Sequence, residues 1–306
     1  MPKTEEMHVR VNYEKAKQLA EKVVARLHAG VYPFNKPDLF PDAKVPPGIV
    51  PGSLEHSLFL FHSTNVDSAR SSEIVYQTFR DLAAKTPMQA LSALDLEELK
   101  RVLSEPFRSF GNPETARDNP IQILHHNARK LQQEYGGDPR NLLGADVEET
   151  IRNICYGQNK KDKFIQYREG KAKLLLKNFI RFGIWPFSEF EIPIKVDRHN
   201  LRISLGMGVI ESDREITKGR SEKINRLLAD VYLQVTQNER ISAVELNDGI
   251  WALGKYHCIR NNEFYCISSC KMGCAIRPKL DERASYFSTV HDTRREKGQL
   301  CLNLES

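Results

Sequence analysis

Apolar residues recur at spacings of three and four along most of this 306-residue chain, and that helical period constrains the fold more than any other feature. NYEKAKQLAEKVVARLHAG, residues 12–30, keeps the period and ends at a glycine suited to a C-cap. Ser53 can cap LEHSLFLFHS, and after Asn65 the segment VDSARSSEIVYQTFRDLAAK runs to a stop near Pro87. Further helical patterns lie at 94–105, 119–137, 145–157, 170–183, 221–238 and 242–258. The last residue pair of the 119–137 segment, Gly136-Gly137, closes its helix before the turn Asp138-Pro139. Two stretches stand out as non-helical. The Pro-rich YPFNKPDLFPDAKVPPGIVPG, residues 32–52, reads as an ordered wrap or a linker, and FSEFEIPIKV, residues 187–196, is extended because Pro193 excludes a regular helix. With few strand signals, the expected fold class is all-α.

A chain of this length can bury a substantial core as one large or two ordinary domains, and two lobes are the expectation. No window approaches the ~18–20 apolar residues of a membrane span, and MPKTEEMHVR lacks the apolar core of a secretory signal, so a cytoplasmic location and no membrane partner are expected.

Formal net charge is +5, but its distribution is uneven. Between Gln158 and Arg181 stand Lys160, Lys161, Lys163, Arg168, Lys171, Lys173, Lys177 and Arg181 against only Asp162 and Glu169. Such a run is either a solvated helix face or the footprint of a polyanion such as nucleic acid. Four of the six cysteines crowd into CIRNNEFYCISSCKMGC, where Cys258, Cys266, Cys270 and Cys274 form a C-x7-C-x3-C-x3-C pattern. In a reducing compartment this is no disulfide framework. Four thiolates suit a cubane iron–sulfur cluster, one per iron, and equally suit tetrahedral zinc.

Asp197 sits between an apolar run and a segment whose polar residues are mostly basic, so it is either a helix cap or a catalytic carboxylate. Here VDRHNLRISLG resembles the V-D-x-H-x-x-R-x-x-x-x-L-G signature of the helix-hairpin-helix DNA glycosylases, the group containing endonuclease III and the adenine glycosylases. Val196, Asp197, His199, Arg202 and Gly206 fall in place, with one residue fewer before Leu205-Gly206. LNDGIWALGKYHC is similar to the helix and Gly-basic-Tyr turn that lead into that family's cluster loop. The spacing differs from the family's C-x6-C-x2-C-x5-C, although the first and last cysteines are the same sixteen positions apart. EHSLFLFHSTNVDSARSSEIVYQTFRDLAA and HHNARKLQQEYGGDP also resemble family helices, so the likeness covers roughly residues 53–276. The hairpin departs. Where the family has a Gly-x-Gly turn, this chain reads FIQYREGKAKLL, after a longer connection, as in the archaeal 8-oxoguanine glycosylases.

The resemblance implies a two-lobed helix-hairpin-helix glycosylase fold, with a helical barrel-like lobe over 53–185 and a second lobe from 1–52 plus 186–306. It implies a monomeric, nucleoid-associated DNA N-glycosylase of base excision repair that removes a damaged or mismatched base from duplex DNA. Asp197 would be its catalytic carboxylate, stabilising an oxocarbenium-like sugar or activating water, and Lys171 the nucleophile of a Schiff-base lyase step. Cys258, Cys266, Cys270 and Cys274 would hold a 4Fe-4S cluster. DNA contacts would come from Lys160, Lys161, Lys163, Arg168 and Lys173, with Asn65 as a polar wedge. His199 and Arg202 are expected to support the Asp197 helix, and Trp185 or Phe187 to stack on an extruded base or join the core. Two alternatives stay open: an N-glycosylase of a free modified nucleoside or nucleotide, since PPGIVPGSLEHSLFLF resembles the queuosine-salvage hydrolases, and a non-catalytic iron–sulfur DNA-binding protein.

Overall fold

A computed structural model describes residues 9–36, 39–67, 71–110, 119–159, 161–212 and 218–257. It is 64% helical and 2% strand, an all-α chain. In chain order the elements are β1 (Val9–Val11), α1 (Tyr13–His28), α2 (Leu54–Val66), α3 (Ser72–Ala83), α4 (Met88–Ala93), α5 (Leu96–Leu103) and α6 (Pro120–Tyr135). There follow α7 (Val147–Tyr156), α8 (Glu169–Arg181), α9 (Arg198–Gly206), β2 (Ile210–Ser212), α10 (Lys218–Glu239) and α11 (Ala243–Ala252). Contacts divide the chain into two units, Pro37–Lys195 and Met1–Lys36 with Val196–Ser306.

The first unit is built around α2, which is buried on every side and therefore central. Ser53 caps it, its hydroxyl accepting from His56 N at 3.2 Å, and every residue from His56 to Val66 is buried. Buried hydroxyls on α2 bond back to the backbone, as Ser63 Oγ does to Phe59 O at 2.6 Å and Ser57 Oγ to Ser53 O at 2.9 Å. Helices α3, α4, α6 and α8 pack against α2, and α5, α6 and α7 start on local caps. Asp95 and Glu98 form a capping box for α5, while Asn119 and Pro120 start α6, which ends at left-handed Gly136. The short α4 is started from a distance, because both oxygens of Glu55 accept amides at its start, Met88 N at 2.5 Å and Gln89 N at 3.2 Å.

The Pro-rich stretch belongs to this unit from Pro37 onward. Asp42, in a single 3-10 turn at Pro41–Ala43, accepts from Lys177 of α8 at 2.7 Å, with Arg181 Nη1 3.8 Å away. Although burial alone would raise the Asp42 carboxyl, Lys177 and Arg181 hold it far below the usual carboxylate range. Arg80 of α3 adds a hydrogen bond to Pro41 O at 2.9 Å. The stretch is thus a wrap, and the boundaries at 36/37 and 195/196 stand outside the 53–185 limits expected from sequence.

In the second unit α1 buries Ala16, Leu19, Ala20 and Val23 against α10 and α11. A Cβ on Gly249 of α11 would lie 2.2 Å from Val23 Cγ1, so only glycine permits that approach. β1 and β2 pair antiparallel, Val11 opposite Ile210, and Asn12 N donates to Val209 O at 2.9 Å. This ties the chain's first described residues to the end of α9.

Candidate functional site

Asp197 is the N-cap of α9. Its Oδ1 accepts from His199 N at 2.8 Å and Asn200 N at 3.3 Å, and Asn200 Oδ1 accepts from Asp197 N at 3.2 Å. This reciprocal capping box fixes the carboxylate through one oxygen, and among the described residues both hydrogen bonds it accepts fall on Oδ1. Oδ2 is left to meet something else, and the side chain is only half-buried.

α9 packs on the end of α11, where Leu253–His257 form a π turn. Gly254 lies so close to His199 that an added Cβ would stand 2.5 Å from His199 Cβ. Arg202 donates to Gly254 O and lies 3.2 Å from His199 Nδ1. His199 and Arg202 therefore join α9 to the turn that leads into Cys258. The two stretches that carry the resemblance, VDRHNLRISLG and LNDGIWALGKYHC, are neighbours in space. Cys258, Cys266, Cys270 and Cys274 themselves lie outside the described residues, as does Lys160. Among the described residues no group of three or more His, Cys, Asp or Glu side chains could hold a metal ion. Cys155 is buried, and burial pushes its thiol up to about 11, which makes it inert.

In the other unit, α8 begins at Glu169 with Arg168 as its N-cap, and Gly170 has open space where a Cβ would stand. Lys171, half-buried, donates its Nζ to Asn65 O in the last turn of α2. As an ammonium it can only donate, and it must lose a proton to expose a lone pair before it can attack a sugar carbon. Asp67 is close to Lys171 and Lys195. Desolvation pushes its carboxyl above the ordinary carboxylate range against those two cations and against Ser72 Oγ, which donates at 3.0–3.1 Å. A carboxyl so placed can exchange protons near a lysine, and no sequence motif marks it.

Lys161, Lys163 and Arg168 are exposed on the α7–α8 connection, whereas Lys173 spends its amine on Glu169 at 2.7 Å, one turn back on α8. Asn65 is a correction. It is fully buried, with Nδ2 donating to Ile165 O at 2.6 Å, so it cannot serve as a wedge that enters DNA. The wedge role rests on the family resemblance alone, and the connection from 161 to 168 covers the side chain. Trp185 also goes to the core, 2% exposed against Phe179 with Nε1 bonded to Arg140 O at 3.0 Å, while Phe187 is half-buried.

That connection is irregular yet pinned. Asn127 of α6 accepts from Ile165 N at 2.8 Å and donates to Ile165 O at 2.9 Å. Tyr167 donates to Phe61 O at 2.6 Å, and Phe164 is buried against Phe61. Sequence reasoning passed over Asn127, because HHNARK reads as an ordinary helix. Among the described residues no helix is long and apolar enough to cross a membrane. A scan of the sequence against protein-family models gives no match, and a search of curated proteins gives none either.

Proposed function

We propose that this chain is an N-glycosylase of the helix-hairpin-helix type, acting on a damaged or mismatched base in duplex DNA. The observation that carries the reading is Asp197: a carboxylate held by a capping box through one oxygen, with the other accepting no hydrogen bond among the described residues, on a helix braced against the turn that leads to the cysteine window. Loss of a base leaves positive charge on the sugar, and a fixed carboxylate oxygen stabilises that charge without having to reorganise. His199 and Arg202 position α9 rather than transfer protons. Exposed Lys161, Lys163 and Arg168 supply the cations that phosphates need.

Cys258, Cys266, Cys270 and Cys274 would hold a 4Fe-4S cluster, whose chemistry here is to cross-link the loop that follows the π turn. The donor set fits, four thiolates for four irons. Lys171 would add a Schiff-base lyase step once its ammonium loses a proton, with Asp67 near enough to influence that proton.

The test is a mass-spectrometric screen of bases released from duplexes that each carry one lesion or mismatch. Release of a free base by wild type, with duplex binding that weakens steeply as salt rises, is the expected outcome. Release only from free nucleosides, without duplex binding, would favour a salvage hydrolase, and binding without release would favour a non-catalytic protein.

A further inference from the structure

The turn at Ile165-Gln166 raises a question that the fold does not answer by itself. Ile165 is 39% exposed, one of few large apolar side chains that are exposed among the described residues. A lone surface isoleucine is ordinary. Its backbone is not. Both its N–H and its C=O are held by the amides of Asn65 and Asn127, two fully buried side chains from different helices. Gln166 follows in the left-handed region, φ 64°, a conformation that a non-glycine residue adopts at a cost.

The remaining anchors repeat the pattern. Phe164 and Tyr167, on either side, are buried, and His126 Nε2 reaches Lys163 O at 3.1 Å. At the base of the connection Gln158 N donates to Glu134 at 2.7 Å. Asn65 Oδ1 finds no hydrogen-bond partner among the described residues, a burial cost that a mere connecting loop could shed by using an apolar residue there. The fold thus spends buried polar groups to hold one exposed isoleucine in one orientation. Around it stand exposed Lys161, Lys163 and Arg168, with Lys163 Nζ 5.0 Å from the ring centre of exposed Tyr156.

From this arrangement we propose that the Ile165-Gln166 turn is the wedge that enters the DNA duplex, with the Ile165 side chain filling the space a displaced nucleotide leaves. The proposal rests on the glycosylase reading and adds to it the element that opens the stack. Apolar side chains inserted between base steps unstack them, and a preformed turn loses little freedom on entering the groove. Lys161, Lys163 and Arg168 would meet the flanking phosphates. Asn65 then acts from behind, as the clamp of the wedge.

The experiment uses the full chain and a duplex that carries a tetrahydrofuran abasic analogue opposite 2-aminopurine. Anisotropy reads binding, and 2-aminopurine fluorescence reads unstacking. Wild type is expected to bind and raise the fluorescence at least about threefold. Ile165→Ala, an exposed substitution that leaves folding intact, should bind with the same salt slope but lose most of that rise, and Ile165→Leu should keep it. A full rise with Ile165→Ala, or binding by wild type with no rise, overturns the wedge while leaving the glycosylase reading in place. Absence of duplex binding by wild type overturns both.

Discussion

Asp42→Asn removes one charge from the contact that holds the Pro-rich wrap to α8, and its cost follows from burial. Lys177 is 4% exposed and Asp42 8%, and their Nζ–Oδ2 distance is 2.7 Å. Once the carboxylate is gone, a buried ammonium has lost its counter-charge at this contact and meets a neutral amide oxygen there. Breaking a buried pair from one side costs about 3–5 kcal/mol, and because asparagine keeps an acceptor the lower end applies, about 3 kcal/mol. The double substitution Asp42→Leu with Lys177→Met should recover part of that loss, since the Lys177 charge is then gone while Arg181 keeps its hydrogen bond to Asn178 Oδ1 at 3.2 Å. Urea unfolding followed by circular dichroism measures both, and an unchanged slope against denaturant would show that the transition itself is the same. A loss below about 1 kcal/mol for Asp42→Asn would mean that the pair behaves as a solvated surface bridge, refuting the desolvation on which the figure depends.

Burial lowers His56 to about 4 and His62 to about 3, both from an ordinary 6.5. The unfolded chain then binds the extra protons, so their contribution is complete above about pH 6.5 and is lost as pH falls toward the folded values, by up to about 1.4 kcal/mol per pH unit for each. Melting temperature should therefore drop between pH 6.5 and 4, and less so in His56→Gln/His62→Gln; identical profiles would contradict the assignment. Protein purified without oxygen should carry about four irons per chain and absorb broadly near about 400 nm, with both lost in Cys266→Ser, whereas stoichiometric zinc would replace the cluster. Borohydride should trap a wild-type adduct with DNA but none with Lys171→Gln. Equal trapping by both would assign the nucleophile elsewhere.

What the sequence discloses is what local chemistry decides. Ser53 caps the helix that it seems to cap, and Gly136 ends α6 as its position suggests. What stays hidden depends on partners far away in the chain. α4 is absent from the helical pattern because its cap comes from Glu55, and the β1–β2 pairing joins three-residue segments about two hundred positions apart. The wrap at 41–43 looks like a linker until Lys177 supplies the counter-charge, 135 residues on. The same holds at the candidate site. Asp197 is legible because its cap is local, and His199 and Arg202 because they share its helix. Asn65 misleads, since nothing near it in sequence announces that Ile165 will cover it, and Asp67 and Asn127 carry no signal except their contacts.

The most direct measurement is the rate of base release by Asp197→Asn on a substrate established with wild type. Asparagine preserves the size of the side chain and an oxygen for the amides of His199 and Asn200, and removes only the charge. If that charge stabilises the sugar cation, single-turnover release should fall at least about a hundredfold. Duplex binding should persist or tighten, because one negative charge near the phosphates has gone. Full activity of a folded Asp197→Asn protein would contradict the mechanism and leave Asp197 a helix cap alone.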